Sequence, residues 1–469
     1  MRVFVIETGS TISPFGDAPG AMVFGHSHVG EATDRAFALL GHDVSRLAPG
    51  APIPDPKGPC VVLADHCLVS HKCAQDFLKT VDKTPRLARL ALCRTPASDY
   101  ARPVSSVTVE PLDDSGPGAR PEGATGVERG ATERCLYDCF YVPEGELPEQ
   151  TASLSLLDAL RERAAAVVTK KREVGIEIRL PLLGDPEHTR MIYPVTSTVA
   201  GHVEHWVHVL WLNHQAFGVQ IVDMARKDPA WAAKKAMGAW PPTDPAKVVP
   251  RLVHVGKNVE IHPTATVEGS LLGDNVRIGA RATVRNSILG RDVEVGDHGS
   301  VIACTLADGA FVTPKSFFVW STAFEGAVVN NLKMQMSVLG RGAASNHWAG
   351  LIDAKFQGAI GVAKGGEVVS TERSFLGSCI GHDGYIGAKA ILMPGREIPN
   401  GVFVTMRPDE LICEVPDDLP AGVPVVRDGG TLVPLSELRA RLAAEGRTPV
   451  PSSDEVATPP ARDKANTDT

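Results

Sequence analysis

The sequence predicts an α/β domain followed by a parallel β-helix. Three observations predict it. From Val255 to Val312 aliphatic residues recur in steps of six, six and five, a unit of seventeen residues. Residues 1 to about 230 instead alternate strand-like and helix-like text. Aromatic residues make up 5% of the chain, which suits a narrow coil better than a sandwich core.

The repeat is written by Val255, Ile261 and Val267, then Leu272, Ile278 and Val284, then Leu289, Val295 and Val301, then Leu306 and Val312. Text recurs at the five-residue step: Gly269-Ser-Leu-Leu-Gly273, Asn286-Ser-Ile-Leu-Gly290 and Ala303-Cys-Thr-Leu-Ala307. A fixed period of this size marks a solenoid, in which each coil covers the core of the next. Three short steps make one triangular coil, and coils stack at the strand spacing of roughly 4.8 Å. Ordinary antiparallel strands would not keep the register. Glycine follows many inward positions (Gly256, Gly273, Gly279, Gly290, Gly296), and the expected reason is the positive φ of tight corners.

Taken in order, Val3–Ile6 reads as a buried strand followed by Gly9-Ser10-Thr11. His28 to Leu40 has helical spacing and stops at Gly41. Cys60–Leu63 is a second buried strand ending at Ala64-Asp65, Lys72 to Val81 a helix, and Leu87–Leu92 a third strand. Residues 113–132, rich in Gly, Pro and charge, are expected to be a mobile insertion. Leu136–Val142 reads as a strand, Leu154–Lys170 as a strong helix, and His202–Met224 as a helix leading towards the repeat. Prolines at 241, 242, 245 and 250 make 231–251 a linker. The β-helix is expected over 252–412, faltering between Pro314 and Thr371 and resuming at Ile380, Ile386, Leu392 and Ile398. Residues 413–446 form a cap with a helix from Pro434 to Glu445, and 447–469, poor in apolar residues, are expected to be disordered.

Composition narrows the function. The chain has 469 residues with 47 basic and 55 acidic side chains, a net charge of -8, so nothing favours nucleic acid. The nine cysteines show no disulfide-like framework. The most apolar stretch, Val207 to Val222, is interrupted by His208, Asn213, His214, Gln215 and Gln220, so no membrane span is expected. The setting expected is cytoplasmic. Asp65, His66, Cys67, His71 and Cys73 are metal-ligand types, but their spacing matches no zinc motif. His202, His205 and His208 read as packing or surface histidines of a helix. No ligand spacing marks out His254, His262 or His298.

The seventeen-residue pattern resembles the hexapeptide-repeat family, and the resemblance implies a left-handed β-helix, a homotrimer and an acyl-coenzyme A site. The N-terminal half resembles the sugar-phosphate nucleotidyltransferases. Their G-x-G-T-R…P-K loop matches Gly9-Ser-Thr-Ile-Ser-Pro-Phe15 and Pro19-Gly-Ala-Met22, with Thr11 at the place of the Arg and Gly20 at that of the Lys. The resemblance implies a Rossmann-like domain in which Gly9, Ser10 and Thr11 meet a nucleotide and Asp65 meets Mg²⁺. Glu204 is the one acid near the place of the second metal-binding Asp.

The later coils resemble the acetyltransferase half of the bifunctional N-acetylglucosamine-1-phosphate uridylyltransferase / glucosamine-1-phosphate acetyltransferase family. Asn330-Asn-Leu-Lys-Met-Gln-Met336 precedes Asn346-His-Trp-Ala-Gly-Leu-Ile-Asp353. The resemblance implies that His347 is a general base and that Asn330, Gln335, Asn346 and Asp353 meet the substrate. A neutral imidazole near pH 7 suits deprotonation of an amine attacking a thioester. This sequence departs at Gln335 and Met336, where the family has Lys, and at Gly350, where it has Tyr. The reading is a divergent transferase for a nucleotide sugar or amino-sugar phosphate, with acyl transfer from acetyl-CoA or another acyl-CoA favoured over nucleotidyl transfer. The alternative is a non-catalytic trimeric scaffold or ligand sensor.

Overall fold

The structure is a computed structural model that describes residues 1–83, 85–121, 124, 126–147, 152–171, 173–179, 190–237, 248–412 and 414–447. Residues Met1–Val404 form one compact unit and Thr405–Thr469 a second.

The N-terminal sheet grows from β1 (Arg2–Ile6), whose RVFVI text is buried from Val3 onward. Helix α1 (Val29–Ala38) leads to β2 (Asp43–Leu47), parallel to β1 on one side, and β3 (Cys60–Ala64) returns parallel on the other. Helix α2 (His71–Val81) follows, its N-terminus capped by Ser70, and leads to β4 (Ala88–Cys93). Then β5 (Glu133–Val142) inserts between β3 and β4, antiparallel to both. Helix α3 (Ser153–Arg163) and β6 (Ala165–Val168) complete the order β6-β4-β5-β3-β1-β2. The chain leaves β1 in one direction and comes back on the other side. The crevice beyond the carboxyl ends of β1 and β3 is therefore a topological switch point, where open α/β sheets bind ligands.

Two helix expectations are corrected. The long helix over Leu154–Lys170 stops at Arg163, because β-branched Val167 and Val168 pair as β6 with β4 and are buried there. The helix expected from His202 begins at Trp206: Ala200–His202 is a strand paired with Cys67–Val69, and His205 is the N-cap. Helix α4 (Trp206–Lys227) is buried on all sides over its first half, Trp206 and Trp211 completely. The stretch expected as a linker, 231–251, begins within a helix, Pro229–Met237, and 238–247 lie outside the described residues. In the 113–132 stretch, Arg134 Nη1 binds Asp113 at 2.8 Å and the Gly118 carbonyl at 2.8 Å, and Glu128 Oε1 accepts from Lys171 N at 2.8 Å.

The β-helix follows the seventeen-residue register. Val255 pairs with Leu272, Leu272 with Leu289 and Leu289 with Leu306, in an eight-stranded parallel sheet. Ile261, Ile278, Val295 and Val312 align likewise in a second sheet, and Val267, Val284 and Val301 in a third. From Leu272 onward these side chains fill the coil interior, with Val267 partly buried against it, whereas Val255 and Ile261 of the first coil are exposed. The arrangement fits a left-handed β-helix.

Glycine recurs there for a different reason from the one expected. A Cβ on Gly273 would lie 2.7 Å from the Gly290 backbone, so the side chain is excluded by the next coil and not by a positive φ. Positive φ falls instead on residues such as Asn258, Asn275 and Asp292. A ladder of small polar side chains also runs through the coils. Ser270 Oγ accepts from Ser287 N at 3.2 Å, Ser287 Oγ from Cys304 N at 3.1 Å, and Ser321 Oγ from Ser337 N at 3.1 Å. Each hydroxyl turns its own proton to a carbonyl two residues back, so buried amides and hydroxyls satisfy one another.

The expected falter resolves into two separate events. Between Phe318 and Met334 the coil loses one residue at Asn330-Asn331, and ladder partners there stand 16 apart, not 17. The coil then continues through Leu351. The next ladder pair, Ser337 and Ser378, is 41 apart, because residues 352–377 leave the coil as an insertion. That insertion carries the hairpin Gly361–Lys364/Glu367–Ser370. The last paired strand of the coil is Phe403–Val404.

One outer face of the β-helix packs on α4. In the first sheet the residue before each inward aliphatic points outward, and Leu271, Ile288, Val338 and Cys379 share a core with Trp206, Leu210 and Trp211. Burying each such aliphatic side chain contributes about 1.5–3 kcal/mol. Histidines fasten the same contact. His205 Nδ1 accepts from Val207 N, which leaves its Nε2–H to donate to the Ala363 carbonyl at 2.9 Å. His214 accepts the Tyr100 hydroxyl at 2.8 Å and donates to the Trp320 carbonyl at 3.0 Å.

The second unit, considered by itself, contains a hairpin (Val425–Asp428 with Thr431–Pro434) and the expected helix at Leu435–Ala444. The expected disordered tail lies, from 448, outside the described residues. The eight described cysteines are free and buried. Among the described residues no helix is long and apolar enough to cross a membrane.

Candidate functional site

A cleft of about 850 Å³ opens at the carboxyl ends of β1 and β3. The loop after β1 supplies Thr8, Ser10, Thr11 and Ser13, so two of the three residues matched to a nucleotide loop line it. Gly9 lies between them with φ +73, a conformation that turns the loop. Opposite stand Asp158 and Arg161 of α3, Ser106, Glu204 and His205, and the Ala363–Gly366 tip of the β-helix hairpin. Glu397, from a later coil, closes one side.

Asp65 is held behind this lining. Its Oδ1 accepts from Thr8 N at 3.2 Å and Thr8 Oγ1 at 2.8 Å, and the Thr8 oxygen lies 2.8 Å from Ser10 Oγ. Its role in the structure is to fix the loop. Beside it His66 is 7% exposed, with Nε2 3.3 Å from Asp138 Oδ2. Asp138 on β5 also receives Arg89 at 2.8 Å and Arg161 at 2.6 Å. Burial pushes the Asp138 carboxyl up. The imidazole of His66 at 3.3 Å and the charged, hydrogen-bonded Arg161 outweigh it and hold the group well below the usual carboxylate range.

From Asp138 a chain of hydrogen bonds runs outward. The Asp138 amide donates to His202 Nε2 at 2.9 Å, and His202 Nδ1 lies 3.0 Å from Ser106 Oγ. Burial lowers the pKa of His202, so the ring is neutral with its proton on Nδ1. Ser106 donates its hydroxyl proton to Glu204, and its amide approaches both Glu204 oxygens at 3.1 Å. Glu204 finally meets Lys364 Nζ at 2.8 Å. Burial pushes the Glu204 carboxyl up, but His202, Lys364 and Ser106 together hold it well below its ordinary value.

These residues do not suit a magnesium ion. The described residues contain one group of three possible ligands, His66, His202 and Glu204, within 4.8 Å of one another, and Asp65 is not in it. Magnesium takes oxygen ligands in near-octahedral array. The His202 nitrogen facing Glu204 carries the proton, because the other accepts the Asp138 amide. The expected metal role of Asp65 finds no support in this geometry.

The second expected centre is differently built. Asn330 accepts from Thr313 Oγ1 at 2.9 Å, and Asn346 donates to the Tyr385 hydroxyl at 2.9 Å. Gln335 lies on the strand Met334–Gln335, paired with Val319. Asp353 pairs with Lys333 at 3.1 Å. His347 is half-buried beside Trp348, which is 63% exposed, and among the described residues its imidazole has no hydrogen-bond partner. Its carbonyl accepts from Leu332 N at 3.3 Å, which joins the shortened coil to the His347 coil.

Sequence reasoning missed Ser106, Arg161, Lys364 and Glu397, which come from four separate segments. Glu204 had been singled out, but not its partner Lys364. Asp138 carried no signal beyond being a charged residue in an otherwise apolar strand.

Residues 248–307 match a family model described as GlmU-like, C-terminal hexapeptide. The match covers the regular coils and ends before Asn330 and His347. No curated protein matches the chain. Among solved structures, a candidate acetyltransferase from Bacillus cereus is similar, with 16% identity over 33% of this chain and 79% of that one; the TM-score is 0.15. A likeness that slight carries no argument about chemistry. The family match establishes the hexapeptide repeat, and the strand pairing establishes the parallel β-helix.

Proposed function

We propose that the chain is a transferase for a sugar derivative, an amino-sugar phosphate or nucleotide sugar, with the sugar held in the cleft beyond β1 and β3. The observation that carries this reading is the lining: hydroxyls of Thr8, Ser10, Thr11, Ser13 and Ser106 face carboxylates paired with Arg161 and Lys364. Alternating hydroxyls and carboxylate–cation pairs match the donors and acceptors around a sugar ring. They do not match a nucleoside triphosphate, whose several charges would meet Asp158, Glu204 and Glu397 with Arg161 committed to Asp138 and Asp158 and Lys364 alone left to balance them. Nucleotidyl transfer is therefore not the reaction assigned.

The reaction assigned is acyl transfer at the β-helix, where His347, which does not line the cleft, meets a separately bound amine acceptor. The amine nitrogen attacks the thioester carbonyl of an acyl-CoA, the C–S bond breaks, the thiolate leaves, and His347 takes the proton lost by the amine. Support comes from the hexapeptide match and from the accessible, uncommitted imidazole of His347. A homotrimer belongs to this reading. Exposed Leu332, Trp348, Ile391 and Phe403 offer apolar surface on the coils around His347, and a neighbouring copy would both cover it and wall the site.

The test is thiol release from acetyl-CoA against a panel of amino-sugar phosphates and nucleotide amino sugars, with His347→Ala beside the wild type. Acceptor-dependent release that falls about 10²–10⁴-fold in the variant supports the reading. Release with no acceptor in the panel, or release unchanged by the substitution, removes it. A second reading, a non-catalytic sugar-binding relative, is favoured by one observation: among the described residues no hydrogen bond orients the His347 ring.

A further inference from the structure

The insertion at 352–377 sends its hairpin to the N-terminal cleft. The hairpin turns through Gly365 and Gly366, at φ +60 and +85. A Cβ on either would meet nothing within 4 Å, so backbone geometry and not crowding selects glycine, as two-residue hairpin turns require. The base is pinned. Ala363 takes the His205 bond, Val362 is buried in the shared core, and the Arg373 guanidinium lies 4.2 Å from the Tyr100 ring and 4.4 Å from that of Trp211. Lys364 ends the first strand, immediately before the tip.

The two cations of the cleft are committed unequally. Arg161 gives Nε and Nη2 to Asp138 and Nη1 to Asp158, so both edges of its guanidinium are used. Lys364 Nζ donates to the Val104 carbonyl at 2.5 Å and to Glu204 at 2.8 Å, which uses two of its three protons. Its side chain is 35% exposed. Without it Glu204 keeps the bonds from Ser106, which donates to both carboxylate oxygens. Lys364 is the cation that can turn to a ligand at small cost.

We propose that Lys364 is the anion-binding residue of the cleft: a phosphate on the bound sugar takes the place of Glu204 at Lys364 Nζ. The β-helix then supplies the charge that the loop from Gly9 to Met22, which has neither Lys nor Arg, does not. A phosphomonoester carries about two negative charges and three acceptor oxygens, against one charge on Glu204, so it competes well for the ammonium. This inference rests on the reading of the cleft as a sugar site.

Titration calorimetry on the full chain tests it with two probes, a hexosamine 1-phosphate and the same hexosamine without phosphate. Lys364→Met weakens the phosphorylated probe about tenfold or more and changes the other less than about twofold. Lys364→Arg restores most of the loss. Glu204→Gln, which keeps an acceptor for Ser106 but removes the competing charge, tightens the phosphorylated probe. A purely structural ion pair gives the opposite pattern: both substitutions weaken both probes alike, and the proposal falls while the sugar site stands. Binding of neither probe by the wild type overturns the sugar site and the proposal together.

Discussion

Asp138 and Asp353 are both carboxylates paired with bases in candidate functional regions, and their surroundings could hardly differ more. Asp138 is 1% exposed and meets Arg89, Arg161 and His66, and its backbone starts a hydrogen-bond chain that ends at Lys364. Among the described residues the Asp353 carboxylate has the single partner Lys333, whose side chain is 57% exposed, and the imidazole of the histidine six residues before it has no hydrogen-bond partner. In the cleft, polar groups hold one another in place before a ligand arrives. In the His347 coil the groups are displayed but not held. The residues most readily matched to a catalytic motif thus lie in the less organised of the two regions, and preorganisation must there come from a ligand or another copy of the chain.

The largest expected effect concerns pH. Burial lowers the pKa of His205 to about 4, of His208 to about 3 and of His214 to about 4, from an ordinary value near 6.5. These rings are neutral when folded and bind protons when unfolded, so the unfolded state takes up more protons between pH 6.5 and about 4. Stability is fully present above about pH 7 and is lost as pH falls through that window, by on the order of 3 kcal/mol per ring. Denaturant melts at pH 7.5, 6 and 5 should show the decline, and His214→Phe should flatten it. A flat profile would mean that the histidine contacts around α4 are not desolvated.

The same substitution at the two carboxylates sharpens the contrast directly. Asp138→Asn leaves the Arg89 cation buried without its charge partner and should cost about 3–5 kcal/mol. Asp353→Asn should cost less than about 1 kcal/mol, as for an exposed pair. Equal shifts in thermal midpoint would dissolve the distinction. Next in size is assembly: Trp348→Ser should weaken the proposed trimer, read as a lower mass by light scattering at micromolar concentration. If the wild type is a monomer, the His347 coil has no neighbour to complete it.

The smallest effect belongs to the ladder of the regular coils. Cys304 stands where its neighbours Ser287 and Ser321 present hydroxyls, and a thiol is a weak donor and acceptor. Cys304→Ser should raise stability by about 0.5–1 kcal/mol. A loss would show that the thiol fills space a hydroxyl leaves empty.

The interior of the coil was legible because one aliphatic residue per step repeats for eleven steps, and the pairing of Leu272, Leu289 and Leu306 follows from counting. The docking face was not. Leu271 and Ile288 look like ordinary strand text beside Leu272 and Leu289, and only their partners on α4 show that outward positions are apolar on one sheet and charged on another, as at Arg277 and Glu294. The insertion read as a falter because it interrupts the count without announcing a fold of its own. Of the cleft, the loop from Gly9 to Thr11 and Asp65 were visible, since each ends a strand. Arg161 and Lys364 were not, since a charge joins a site through tertiary placement and the two stand about two hundred residues apart.

The joint between α4 and the coils has a consequence for biosynthesis. A ribosome releases Trp206 and Trp211 long before the rungs at Val338 and Cys379 that help cover them, and Lys364 and Glu397 follow later still. For that interval the emerging chain presents an apolar helix covered by the N-terminal domain but not yet by the coils, a natural client for a chaperone. A fragment of residues 1–237 prolongs the same condition indefinitely, and its expected fate in the test tube is precipitation.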